Sequence, residues 1–120
     1  MFHTERHIMR HSRWTFLIAA LWSVAAAHAY AGNAGRAIYR AHCSVCHGSN
    51  GQGAMPGMPS FTQKGGVLRL PDTVLLHRIE NGYRGAGAPM AMPPKGGDPA
   101  LTQQEITRVL GYIRRKFGHE

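Results

Sequence analysis

At 120 residues the chain is one small domain at most. Lys and Arg number 14 against 6 Asp and Glu, a net charge of +8. Such a surplus suits nucleic acid, an anionic membrane surface or a protein with an acidic face. The export signal at the N-terminus argues against the first of these.

Residues 1–14 carry Arg6, Arg10 and Arg13 against one acid, Glu5. Residues 15–27 form an almost unbroken apolar run that ends in small residues. Ala27-His28-Ala29 and Ala29-Tyr30-Ala31 both fit an A-x-A cleavage site. A basic start, a short apolar run and small residues before the cut are the layout of a secretory signal peptide. The run is about 13 residues, short of the roughly 20 needed to span a bilayer. Cleavage is therefore expected rather than a retained anchor. The cut falls after Ala31, with Ala29 the alternative, leaving one domain over 32–120 that is periplasmic or otherwise exported. That domain holds 11 Lys and Arg against 5 Asp and Glu, a net of +6. A solvated basic surface with no steering role is the plainer reading of this balance. A domain so small buries a modest share of its apolar surface and commonly needs a disulfide, metal or cofactor as a staple.

Gly and Pro mark turns over 48–59, 65–66, 82–89 and 93–99. The first helix is expected over about 33–42, running directly into Cys43-Ser44-Val45-Cys46-His47. Two thiols three positions apart can each add to one vinyl group on a haem edge, and a histidine right after the second thiol lies under the iron. A bare C-x-x-C redox pair would not require His47. A structural zinc wants four ligands, and His42, His77 and His119 show no matching arrangement. The expected cofactor is one covalent haem c, attached at Cys43 and Cys46, with His47 as an iron ligand.

The second helix is expected over 71–81. Pro71 suits its first turn, Leu75, Leu76 and Ile79 give an apolar face, and Gly82 suits the stop. For the third, Thr102 followed three residues later by Glu105 is a capping-box signature. Ile106, Val109, Leu110, Ile113 and Phe117 recur at helical spacing. Arg114, Arg115 and Lys116 sit in the last turn, where cations complement the helix dipole. No stretch alternates as a strand would, so the fold class is all-α, three to four helices wrapped around the haem. His42, His77 and His119 read as plain surface groups, and Tyr83 and Arg84 as an exposed loop.

Gly35 and Tyr39 stand eight and four residues before Cys43, Pro59 stands twelve after His47, and Met92-Pro93-Pro94 follows Ile79-Glu80-Asn81-Gly82. With the CSVCH run, this set resembles the class I cytochromes c over nearly the whole of residues 35–112. The resemblance implies that Gly35 and Tyr39 cross the C-terminal helix at Tyr112, with Gly111 allowing near approach. It implies that the carbonyl of Pro59, or less well Pro56, accepts the His47 ring N–H and fixes the ring. It also points to Met92 as the second axial ligand, a soft thioether that favours ferrous iron in a loop stiffened by Pro93 and Pro94. Met90 is the near alternative. Met55 and Met58 also precede prolines and are read as core filler.

A His/Met haem has no open position for substrate. The function implied is one-electron transfer between donor and acceptor redox proteins, with an acidic docking face expected on the partner, and not enzymatic. Two alternatives stay open: a haem enzyme or gas-binding protein with a displaceable Met92, and a cytochrome subunit of a larger oxidoreductase.

Overall fold

The structure is a computed structural model that describes residues 32–118. The expected leader over 1–31 and His119 lie outside the described residues. Helix α1 covers residues 32–47: α-helical over 32–38, a π turn at Tyr39–Cys43, and a closing α turn at Ser44–His47. It thus runs five residues past the expected end and carries both cysteines and His47 on helical backbone. A π turn adds one residue to the local ring and is found often at functional sites. Gly48, at φ 79°, takes the chain out of the helix.

Helix α2 covers Asp72–Asn81 and α3 covers Gln103–Phe117. Pro71 is the N-cap of α2, with an extended ψ of 151°, one position earlier than expected. At α3 the capping box is complete. The Glu105 N–H donates to Thr102 Oγ1 at 3.3 Å, and the Thr102 N–H donates to the Glu105 carboxylate at 2.9 Å. Single 3-10 turns occupy Val67–Arg69 and Pro94–Gly97. Among the described residues there is no strand, only an isolated antiparallel bridge from Tyr83 to Met92. No helix among them is long and apolar enough to cross a membrane.

The amphipathic α3 serves two partners. Ile106 and Leu110 pack with Leu75 and Ile79 of α2 and with Leu101. Val109, Ile113 and Phe117 pack with Tyr39 of α1. A Cβ at Gly35 would run into the Arg108 backbone carbonyl, so this glycine is what lets α1 lie against α3. One turn on, the Tyr39 ring sits 5.5 Å from Tyr112 and 5.3 Å from Phe117, centroid to centroid. Its buried hydroxyl donates to the Gly48 carbonyl at 2.6 Å. Gly111 does not share in the close approach, because a Cβ there would meet only the mobile Arg115 guanidinium.

Arg114 departs from the expected dipole role. Its guanidinium bonds Asp72 Oδ1 at 2.5 Å and donates to the carbonyls of Leu68 and Leu70 at 2.6 and 2.7 Å. One side chain thereby ties the end of α3 to the start of α2 and to the chain before it, a match to the forked shape of the group.

Two outcomes follow from these joints. Gly35→Ala gains about 1 kcal/mol of helix propensity but overpacks a backbone contact at about 1–3 kcal/mol, a net loss on the order of 1 kcal/mol. Thermal unfolding should show a melting temperature lower by several degrees. The Glu105 carboxyl is held below its usual range by the Thr102 N–H and then the Thr102 hydroxyl. A depressed folded value means its stabilisation is complete above the ordinary carboxylate range and is lost as pH falls through the lowered one. Glu105→Gln should accordingly flatten the acid limb of stability against pH.

Candidate cofactor site

Between the helices lies a cavity of about 520 Å³ whose lining is almost wholly apolar. Cys43 and His47 line it from α1, Leu75 and Ile79 from α2, and Leu110 and Ile113 from α3. Its size falls in the range of small-molecule and cofactor sites, roughly 300–1,000 Å³. Cys46 is a free thiol like Cys43, on the same turn of helix. Burial, and then the neighbouring Cys46, push the Cys43 thiol up to about 11. A catalytic redox cysteine needs the opposite, a lowered pKa, so Cys43 is not set up as a thiolate nucleophile. No three His, Cys, Asp or Glu among the described residues come together to hold a metal ion by themselves.

His47 is only 8% exposed. Burial lowers its pKa and so favours the neutral imidazole, the form that binds a metal. Its Nδ1 is buried without a hydrogen-bond partner, a state that costs about 1–3 kcal/mol in a chain alone. The Pro59 carbonyl is therefore not the acceptor expected of it, although Pro59 does line the cavity. The 55–58 turn closes on itself through the Met58 N–H and the Met55 carbonyl, 3.1 Å apart. What orients the ring is Phe61, stacked on it at 4.5 Å and 19°. Phe61 is brought there by its own N–H, which donates to the Gly51 carbonyl at 2.7 Å.

Met90 and Met92 line the same cavity. Tyr83 and Met92 exchange both backbone hydrogen bonds, at 3.1 and 2.8 Å. Gly82, at φ 78°, permits this, since a Cβ there would stand 2.7 Å from the Met92 carbonyl. Met92 is half-buried against the α2–α3 cluster, whereas Met90 is 41% exposed. The chain beyond Met92 is anchored as well. Gly96 lies against His42 of α1, and His42 Nε2 is 3.7 Å from Asp98. His42 is thus a fastening point rather than an idle surface group. Met58 also lines the cavity and joins neither core cluster, so it is wall and not filler.

Among the described residues Arg78 is the one Lys or Arg on the cavity wall. Its guanidinium carbon lies 3.7 Å from the centre of the Tyr83 ring, which is 44% exposed and lines the cavity too. Neither Arg78 nor Phe61 stood out in the sequence. A signal did exist for Arg78, which is three residues from Leu75 on a helix where such positions adjoin. For Phe61 there was none, because the Gly51 contact that places it is made by the backbone.

An apolar cavity, two free thiols beside it and a buried imidazole lacking a partner all fit a covalently held haem. Residues 31–113 match the family described as cytochrome c oxidase, cbb3-type, subunit III. The chain belongs to this family of c-type cytochromes. The cytochrome is 32% identical over 95 residues to the cbb3-type cytochrome c oxidase subunit CcoP of Cereibacter sphaeroides, covering 76% of this chain and 32% of that protein. It therefore spans about a third of that relative's length. It is 30% identical over 83 residues to cytochrome c-555 of Prosthecochloris aestuarii, with 66% and 81% covered. To cytochrome c-555 of Chlorobaculum tepidum it is 31% identical over 99 residues, with 79% and 85% covered. Membership makes it a haem c protein of electron transfer with a small all-α fold.

Removing the Phe61 ring should loosen His47 and its surroundings together. Phe61 is only half-buried, so Phe61→Ala is expected to cost roughly 2 kcal/mol, below the ~3–5 of a fully buried Phe, and Phe61→Leu less than half of that. Denaturant unfolding of the two variants checks the order.

Proposed function

We propose that this cytochrome is a periplasmic one-electron carrier with a single haem c, joined to Cys43 and Cys46 and ligated through His47 and Met92. One observation supports the reading above the rest: Cys43, His47 and Met92 line one apolar cavity, with Cys46 on the same helical turn as His47. The haem, when bound, supplies an iron that gains and loses one electron. The chain supplies everything around it. Cys43 and Cys46 sit three apart on helical backbone, a spacing suited to fastening one haem edge. Buried and neutral, His47 offers a nitrogen on one side; Met92, its backbone held to Tyr83, offers a soft sulfur that favours the ferrous state. Leu75, Ile79, Leu110 and Ile113 exclude water. Arg78, seated on Tyr83, offers its charge to the carboxylates that a haem carries. With two axial donors, no position is left open for substrate.

Residues 1–31 serve as the signal peptide in this reading, cut after Ala31. The net charge of +6 on residues 32–120 suits donor and acceptor proteins with an acidic docking face. A second reading, a cytochrome subunit of a larger oxidoreductase, is favoured by the matched family description and by CcoP. Purification of the natively expressed chain separates the two, since a carrier elutes alone and a subunit with its complex.

Met92 decides the ligand set. Met92→Ala should lower the reduction potential, because the preference of a thioether for ferrous iron is lost, and should let carbon monoxide bind readily. Met90→Ala should do little of either. A larger effect from Met90→Ala would move the ligand to that residue. Rapid carbon monoxide binding by the unaltered protein would replace the carrier with the enzyme or gas-binding reading.

A further inference from the structure

A second concavity, of about 590 Å³, lies behind the wall of the first and shares Phe61 and Leu68 with it. Four cationic side chains line it: Lys64, Arg69, Arg114 and Arg115. Among the described residues no acid does, and Gln63 adds an uncharged polar group. Arg114 is already committed to Asp72 and to the Leu68 and Leu70 carbonyls. The other three make no ion pair among the described residues. They come from two distant parts of the chain, the loop and 3-10 turn over 64–69 and the last turn of α3. Arg114 is the clasp that brings these parts together.

Three cations with no ion pair among the described residues converge on one hollow and repel one another, and nothing in the described packing requires it. Lys64, Arg69 and Arg115 are exposed and belong to neither core cluster. The C-terminal end of α3 is close by, since Gly118 is part of the lining. Its dipole opposes an anion with roughly half a charge, against three whole charges in favour. Arginine forks and an ammonium group around a concave surface suit oxygens carrying multiple charge. A flat acidic protein surface would not reach into a hollow as readily as a compact headgroup.

We infer that this hollow is a binding site for a multiply charged oxyanion, phosphate in chemistry, held by Lys64, Arg69 and Arg115. The anion is either a free phosphate species or the headgroup of an anionic lipid. Its place has a consequence. Phe61 is common to both hollows and is stacked on His47. Negative charge on the far side of that ring stabilises the more positive, ferric state, so occupancy lowers the reduction potential. Only this last step rests on the haem reading; the binding itself does not.

The test uses the holoprotein at constant ionic strength, titrated with inorganic pyrophosphate and separately with vesicles of phosphatidylglycerol in phosphatidylcholine. Amide NMR should show saturable shifts confined to Lys64, Arg69, Arg115 and their neighbours. The potential should fall along the same isotherm. Lys64→Gln with Arg69→Gln should weaken binding at least tenfold, with the absorption spectrum unchanged. A charge-matched control, Arg36→Gln with Arg40→Gln on the exposed side of α1, should leave binding within twofold. Saturable shifts with pyrophosphate support the site with a free anion as ligand. The same shifts with phosphatidylglycerol vesicles alone, absent with pure phosphatidylcholine, support it with a lipid headgroup. Shifts spread equally over Arg36 and Arg40, or equal losses in both double variants, overturn it as diffuse charge attraction. Localised binding with no change in potential overturns the coupling and leaves the site.

Discussion

The missing side chain at Gly35 sets the position of everything on α1. Without a Cβ, this helix comes down onto the Arg108 carbonyl of α3. That contact seats Tyr39 between Tyr112 and Phe117. One turn later stands Cys43, and a further turn brings His47 to the cavity wall. Because α1 is a continuous helical segment through its π turn, the crossing and the residues Cys43 and His47 cannot move independently. The Tyr39 hydroxyl reinforces this by accepting no slack at Gly48, where the helix ends.

The chain has no helix to position Met92, and the loop is held by other means. Gly82 clears the space for the Met92 carbonyl, Tyr83 exchanges two backbone hydrogen bonds with it, and Gly96 rests on His42. His42, the residue before Cys43, thus receives the loop that follows Met92. Both parts of the lining are referred back to α1. This gives a physical basis for proposing Met92 rather than Met90, which lies in the span between Tyr83 and Met92 and is 41% exposed.

Charge divides in a similar way. Arg114 works as a structural clasp, Arg78 belongs to the cavity, and Lys64, Arg69 and Arg115 face a separate hollow. A net charge reports only their sum. Three neighbours on the last two turns of α3, Arg114, Arg115 and Lys116, look alike in sequence, yet the first reaches three acceptors 42–46 residues away.

Local chemistry was enough to read much of this protein. A helix cap needs only the Thr102–Glu105 spacing, an apolar face needs only the period of α3, and haem attachment needs only two thiols and a histidine three and four positions on from the first. Each is a relation within a turn or two, so sequence alone determined the helices, the covalent cofactor and its class. Tertiary structure decided the rest. Phe61 reaches His47 because a backbone hydrogen bond to Gly51 puts it there, while the Pro59 carbonyl accepts nothing from His47, whose Nδ1 has no partner. Gly35 makes the close crossing and Gly111 does not, although both are glycines on facing helices. Such contacts depend on where two separate segments meet, and no spacing along one segment encodes that distance.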